Sequence, residues 1–106
     1  MMLFRSADKK LAEIGFIRVE DEDSPAFELY RRINKKHECV QYLEINYSND
    51  GCHSVLSYSR ELHDRKYPGK TSVGLTAYEM RLCVRKMQEL GWNTGKPKRR
   101  KKQCAN

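Results

Sequence analysis

The residues best suited to chemistry in this sequence are six cations in its last stretch, KPKRRKKQCAN. These cations are Lys96, Lys98, Arg99, Arg100, Lys101 and Lys102. The chain has 21 lysines and arginines against 14 aspartates and glutamates, so without these six the balance falls to 15 against 14. The basic character is therefore local. A cationic run of this density releases counterions when it meets a phosphate backbone, which predicts weak, sequence-independent binding to nucleic acid.

The same run also fits a segment that only keeps the protein in solution. Like charges repel one another, and the run has little apolar surface to bury. We therefore expect residues 1–95 to form a single α+β domain and residues 96–106 to form a flexible basic tail. The sequence leaves open whether the tail binds a partner.

No other grouping of reactive side chains forms a pattern typical of a catalytic or metal site. His37, Cys39 and His63 could approach one another at one end of a sheet, but the ligand spacing of a zinc site is missing. The stretch YPGKTS contains Gly-Lys-Thr, yet Asp64 stands where a phosphate-binding loop has its first glycine. Neither an activated nucleophile nor an acid–base pair is recognisable. The sequence therefore predicts a protein that is not an enzyme and that uses no metal or cofactor.

The cysteines and the apolar content indicate a cytoplasmic protein. Cys39, Cys52, Cys83 and Cys104 are far apart and form no Cys-x-x-Cys pair. The chain becomes charged after four residues, unlike a signal peptide, and it has no run near the roughly 20 apolar residues of a membrane span. Reduced thiols are expected in that compartment. We expect Cys39 and Cys83 in the core and Cys104 exposed on the tail.

Two helices are predicted to hold the folded part together, one at each end. In SADKKLAEIGF, Ser6 can cap a short helix that ends at Gly15. In GLTAYEMRLCVRKMQELGW, Thr76 and Glu79 form a capping box, and apolar residues then recur at spacings of three and four up to Gly91. Each helix has one apolar stripe to bury.

Between these helices, apolar and polar residues alternate in four runs that turn signals separate. The register that gathers the apolar side chains on one face pairs Val19 with Phe27, Leu29 with Leu43, and Ile45 with Leu56. The predicted fold is therefore α+β: helix, four-stranded antiparallel meander, helix, with both helices on one face of the sheet.

The other face of this predicted sheet carries aromatic and basic side chains. Tyr30 is expected opposite Tyr42, with Arg18 and Arg32 on the same surface. Aromatic rings beside arginines are typical of protein interfaces and of surfaces that stack nucleic-acid bases. Two glutamates are expected there as well, which disfavours a phosphate backbone but not a protein. We predict that these four residues bind another protein; pairs that only stabilise the sheet are the alternative.

The stretches ADKKLAEIGF and GLTAYEMRLCVRKMQELGW resemble parts of short uncharacterised proteins that prophages and mobile elements of Gram-positive bacteria encode. The resemblance spans residues 3–92 and implies no activity. The order of elements is also similar to that of the double-stranded-RNA-binding domain. That family has a lysine-rich cluster at the start of its last helix, where this chain reads TAYEMR.

These observations favour a small accessory or adaptor protein that binds another protein through the outer face of its sheet. Weak nucleic-acid binding through the basic tail is the alternative. No membrane partner is expected.

Overall fold

A computed structural model describes residues 6–19, 27–61 and 69–96. The two helices are α1 (Ala7–Glu13) and α2 (Ala77–Glu89). The five strands are β1 (Ile17–Arg18), β2 (Phe27–Asn34), β3 (Cys39–Asn46), β4 (Ser54–Glu61) and β5 (Thr71–Ser72). They form one antiparallel sheet in chain order, with α1 before it and α2 after it. The predicted α+β class and order of elements are confirmed, and β5 adds a short strand to the four that were predicted.

Both helices begin at the predicted capping residues. The Ser6 hydroxyl accepts a hydrogen bond from the Lys9 amide, at 3.2 Å. The Thr76 hydroxyl accepts one from the Glu79 amide at 3.1 Å, and the Glu79 carboxylate accepts one from the Thr76 amide at 2.9 Å. These bonds satisfy amide groups that the first turn of a helix leaves without a partner.

Both helices also end at the predicted glycines. Gly15 and Gly91 have φ angles of 98° and 84°, in the left-handed region that favours glycine. The amide of the next aromatic residue then bonds back to the helix, from Phe16 to the Leu11 carbonyl and from Trp92 to the Met87 carbonyl, each at 2.9 Å. This geometry turns the chain back and places each ring against the helix that it follows.

One apolar core lies between the helices and a single face of the sheet, which we call the inner face. Its buried members are Leu11, Phe16, Tyr30, Leu43, Ile45, Leu82, Cys83 and Met87. Tyr30 pairs directly with Leu43, so both side chains point to the same side of the sheet. Because residues of α1 and α2 share this core, both helices pack on one face, as predicted.

The predicted strand register is wrong in all three hairpins. Ile17 pairs with Arg31, two residues beyond the predicted Leu29. Leu29 pairs with Glu44 rather than Leu43, and Ile45 pairs with Val55 rather than Leu56. A one-residue shift moves every side chain of a strand to the opposite face. Leu29 of β2 and Leu56 of β4 therefore lie on the face that points away from the core, whereas Tyr30 and Val55 lie on the core side.

The connections between strands account for this shift. Asn34 pairs with Cys39 across a four-residue turn, one residue shorter than predicted. The Asn34 side chain accepts a hydrogen bond from the His37 amide at 3.1 Å, and Glu38 takes a positive φ of 51° to close the turn. In the next hairpin Asn46 pairs with Ser54, so residues 47–53 form the connection.

The cysteines follow the prediction only in part. Cys83 is fully buried and Cys39 is half-buried, and both are free thiols. Burial, and to a lesser extent Glu79, raises the pKa of the Cys83 thiol to about 12. Cys104 lies outside the described residues. Neither helix in the described part of the chain is long and apolar enough to cross a membrane.

Candidate functional site

The sheet face opposite the core, which we call the outer face, carries rows of directly paired residues, of which the row Phe27, Asn46 and Ser54 lies at one end. The central row crosses all five strands and consists of Ile17, Arg31, Tyr42, Tyr58 and Ser72. The two flanking rows are Leu29, Glu44 and Leu56 on one side, and Ile33, Val40 and Arg60 on the other. Both helices lie on the inner face, so within the described ranges no helix packs on these rows.

Aliphatic side chains on this face are open to solvent. Ile17, Ile33 and Leu56 are 55%, 52% and 51% exposed. They come from different strands and different rows, so they lie around the tyrosines of the central row rather than in one corner. A soluble protein rarely leaves grouped apolar side chains in water unless they contact something.

Two stacked tyrosines form the centre of the outer face. Tyr42 and Tyr58 pair directly, with ring centroids 5.4 Å apart and an angle of 28° between the rings. The Tyr58 hydroxyl donates a hydrogen bond to the Glu44 carboxylate at 2.7 Å. Burial, and next the bond to Glu44, raises the pKa of Tyr58 to about 12, so the hydroxyl stays protonated at neutral pH. The pair is thus held in a defined orientation.

Positive charge borders this tyrosine pair. The Arg60 guanidinium carbon lies 6.0 Å from the ring centroids of both tyrosines, and Lys70 Nζ lies 4.6 Å from that of Tyr58. The Arg60 Nε atom is buried and has no hydrogen-bond partner in the described part of the protein.

Of the four residues predicted to bind a protein, only Tyr42 lies on the outer face. Tyr30 is fully buried in the core and donates a hydrogen bond to the Asp8 carboxylate, which also pairs with Lys86 Nζ at 3.1 Å. Burial, together with the bond to Asp8, raises the pKa of Tyr30 far above its usual value. The predicted placement of Tyr30 is therefore wrong, because β2 is shifted by one residue against β3.

The two predicted arginines are also displaced from the outer face. Arg18 pairs with Tyr30 on the inner side, and its Nε lies 2.8 Å from the Glu28 carboxylate. Arg32 pairs with Gln41 in the sheet and donates to the Gln41 side-chain oxygen at 2.8 Å. Their predicted placement is wrong for the same reason as that of Tyr30.

Arg32 joins the sheet to both helices. Its guanidinium donates to the Ile14 carbonyl at the end of α1 at 3.1 Å and to the Glu79 carboxylate of α2 at 3.3 Å. The guanidinium carbon also lies 4.1 Å from the centroid of the Phe16 ring. Gln41 in turn donates to the Ser57 hydroxyl at 2.8 Å. These polar contacts join the inner face of the sheet to both helices and so stabilise the fold.

Sequence reasoning missed Tyr58, Arg60, Lys70 and the aliphatic residues as members of the outer face. Asn34 before Lys-Lys-His-Glu was a usable signal, since asparagine often starts a turn by accepting a bond from a later amide. A four-residue turn after Asn34 would have given the observed register of β2 and β3. Nothing comparable in the sequence indicates the register of β4.

Most of the basic tail cannot be placed on this surface. Lys96 is exposed, whereas Lys98, Arg99, Arg100, Lys101 and Lys102 lie outside the described residues. Nucleic-acid binding by the tail stays a prediction from charge alone.

Three aromatic rings meet where the β3–β4 hairpin approaches the end of α2. Tyr47, His53 and Trp92 lie with ring centroids 4.9–5.1 Å apart, which packs the β3–β4 hairpin against the end of α2 and leaves no space between the rings. Within the described ranges, no three histidine, cysteine or acidic side chains are grouped to hold a metal ion. His63 lies outside those ranges. The outer face is therefore the candidate site.

No family model, no curated protein and no solved structure matches this chain. The geometry of the outer face is therefore the basis for inferring a function.

Proposed function

We propose that this chain is a small non-catalytic adaptor that binds another protein through its outer face. The observation that supports this most directly is the exposure of Ile17, Ile33 and Leu56 around the stacked pair of Tyr42 and Tyr58. Aromatic anchors surrounded by apolar side chains are the usual centre of a protein interface. Aliphatic side chains gain little from nucleic-acid bases, and Glu44 next to Tyr58 would repel phosphates.

The size of the face favours a short segment as the bound element. The three long strands have eight residues each. At about 3.3 Å per residue and about 4.8 Å between strands, they form a strip about 26 Å long and about 14 Å wide. An α-helix with its side chains is about 10–12 Å in diameter. The strip therefore has the width of one helix or one extended segment of a partner.

The cytoplasm, which the sequence suggested, is part of this proposal. The second candidate function is weak nucleic-acid binding by the basic tail, and its support is the charge of Lys96 and the five cations after it.

Capture from the native cell with two matched leucine variants tests the proposal. Leu56→Ser changes an outer-face leucine, whereas Leu90→Ser changes a leucine that is 39% exposed at the end of α2. We expect a protein captured by the original chain in the presence of nuclease to be lost with Leu56→Ser and kept with Leu90→Ser. Equal capture by all three forms would contradict the proposal.

A further inference from the structure

The cations of the outer face lie on one side of the tyrosine pair. Arg60 follows Tyr58 by two positions on β4, so both side chains point outward from the same strand. Lys70 precedes β5, which pairs with β4 at Tyr58 and Ser59, and its ammonium lies over the Tyr58 ring. Arg60 and Lys70 therefore approach Tyr58 from neighbouring strands.

The Arg60 guanidinium has capacity for an added acceptor. Its Nε has no hydrogen-bond partner in the described residues, and its Cζ lies 6.0 Å from the ring centroids of both tyrosines. A guanidinium has five N–H donors in a planar fork that fits both oxygens of a carboxylate. A carboxylate supplies two acceptors in that geometry and also compensates the charge of Lys70.

We propose that Arg60 and Lys70 bind a carboxylate of an acidic partner segment, while the apolar side chains of that segment contact the tyrosine pair and Leu56. This inference rests on the proposed function and specifies the chemistry of the partner. Arg31 lies across Tyr42 in the same row, so among the described residues this face carries three cations against Glu44, which is already bonded to Tyr58. That balance favours an acidic segment.

The same charges disfavour two other occupants. Two outer faces placed against each other would bring Arg31, Arg60 and Lys70 of one copy towards those of the other, which is repulsive. A phosphate polyanion would place charge beside Glu44, whereas a single carboxylate can avoid it. A segment that mixes acidic and apolar residues satisfies both the cations and the aliphatic side chains.

Selection from a random library of displayed 12-residue peptides, with the full chain as bait, tests this inference. We expect the enriched peptides to combine Asp or Glu with large apolar residues. Their affinity should fall at least about tenfold with Arg60→Gln plus Lys70→Gln, and equally when the peptide acids are replaced by their amides. Arg81→Gln, at an exposed position of α2, is the matched control and should leave the affinity unchanged.

The outcomes separate this inference from the proposed function. If the enriched peptides lose binding with Leu56→Ser but not with Arg60→Gln plus Lys70→Gln, the outer face binds segments and the carboxylate site is wrong. If Leu56→Ser also leaves binding unchanged, the outer face itself is wrong as the site.

Tighter binding of a 12-nucleotide oligothymidylate than of any peptide, lost with the same Arg60 and Lys70 changes, would overturn the inference in favour of single-stranded nucleic acid. Dimerisation in sedimentation that Arg60→Gln abolishes would overturn it in favour of a second copy.

Discussion

Arg32 illustrates how the role of one residue depends on the face of the sheet that it occupies. On the outer face it would be a contact residue, as the sequence suggested. On the inner face its guanidinium instead bonds Gln41, Glu79 and the end of α1, and its stem lies close to Gly15. A partly buried arginine of this kind stabilises by satisfying several groups that would otherwise lack partners.

Replacement of Arg32 by methionine separates these two roles. The variant keeps an unbranched apolar stem but leaves Gln41 and Glu79 without their bonds to the guanidinium. We expect the free energy of unfolding in urea to fall by about 2 kcal/mol, with Arg81→Met as a control that changes it by less than about 0.5 kcal/mol. Binding of partner segments by the folded fraction should not change. A loss of binding without a loss of stability would indicate instead that Arg32 contacts the partner.

At the scale of elements, the sequence predicts the existence of helices and strands well and the pairing of strands poorly. Ser6, Thr76, Gly15 and Gly91 act locally, so their effects on helix ends follow from the neighbouring residues alone. Register depends on loops and on residues far along the chain. A period of two shows that Leu29 and Tyr30 face opposite sides, but it does not show which of the two faces the helices.

The observed register is stable because the helices supply partners for the polar groups that it buries. Asp8 of α1 accepts from the Tyr30 hydroxyl, and Glu79 of α2 accepts from Arg32. These contacts let Tyr30 and Gln41 occupy the inner face, while Leu29 and Leu56 lie outside. Alternation alone cannot reveal such long-range compensation, and for this reason three of the four predicted site residues were placed on the wrong face.

Two leucine-to-alanine changes distinguish the observed register from the predicted one. Leu43 is fully buried, and Leu43→Ala should lower the free energy of unfolding by about 3 kcal/mol. Leu56 is half-exposed on the outer face, and Leu56→Ala should lower it by less than about 1 kcal/mol. Urea unfolding measures both losses, provided that the slope of the free energy of unfolding against urea concentration stays the same in the variants. Equal, large losses would indicate that Leu56 lies in the core, as the predicted register had it.

At the scale of the whole molecule, two regions offer positive charge to a partner: the outer face and the C-terminal run. The six cations from Lys96 to Lys102 make the chain basic, whereas residues 1–95 are almost balanced. Long-range attraction to polyanions is therefore expected to arise at the C-terminus, and short-range selectivity on the outer face. The two contributions predict different responses to salt, because exposed charges are screened and apolar contacts are not.

Truncation after Gly95 tests the contribution of the basic run. For the full chain, the logarithm of DNA affinity should fall against the logarithm of salt concentration with a slope of at most about −5, since six cations release about 0.9 counterions each. Fluorescence anisotropy of a labelled duplex in a salt series gives this slope. The truncated chain should lose DNA binding and keep its affinity for peptides. DNA binding by the truncated chain at physiological salt would place a nucleic-acid site in the domain itself.

The most direct test of the central claim, that the outer face binds another protein, is photo-crosslinking in the native cell. A benzoylphenylalanine in place of Ile33 reports on the outer face, and one in place of Tyr78, which is exposed on α2, serves as the control. We predict a crosslinked band from position 33 that protease removes and nuclease does not, and no such band from position 78. A nuclease-sensitive band, equal bands from both positions, or no band from position 33 would contradict the account.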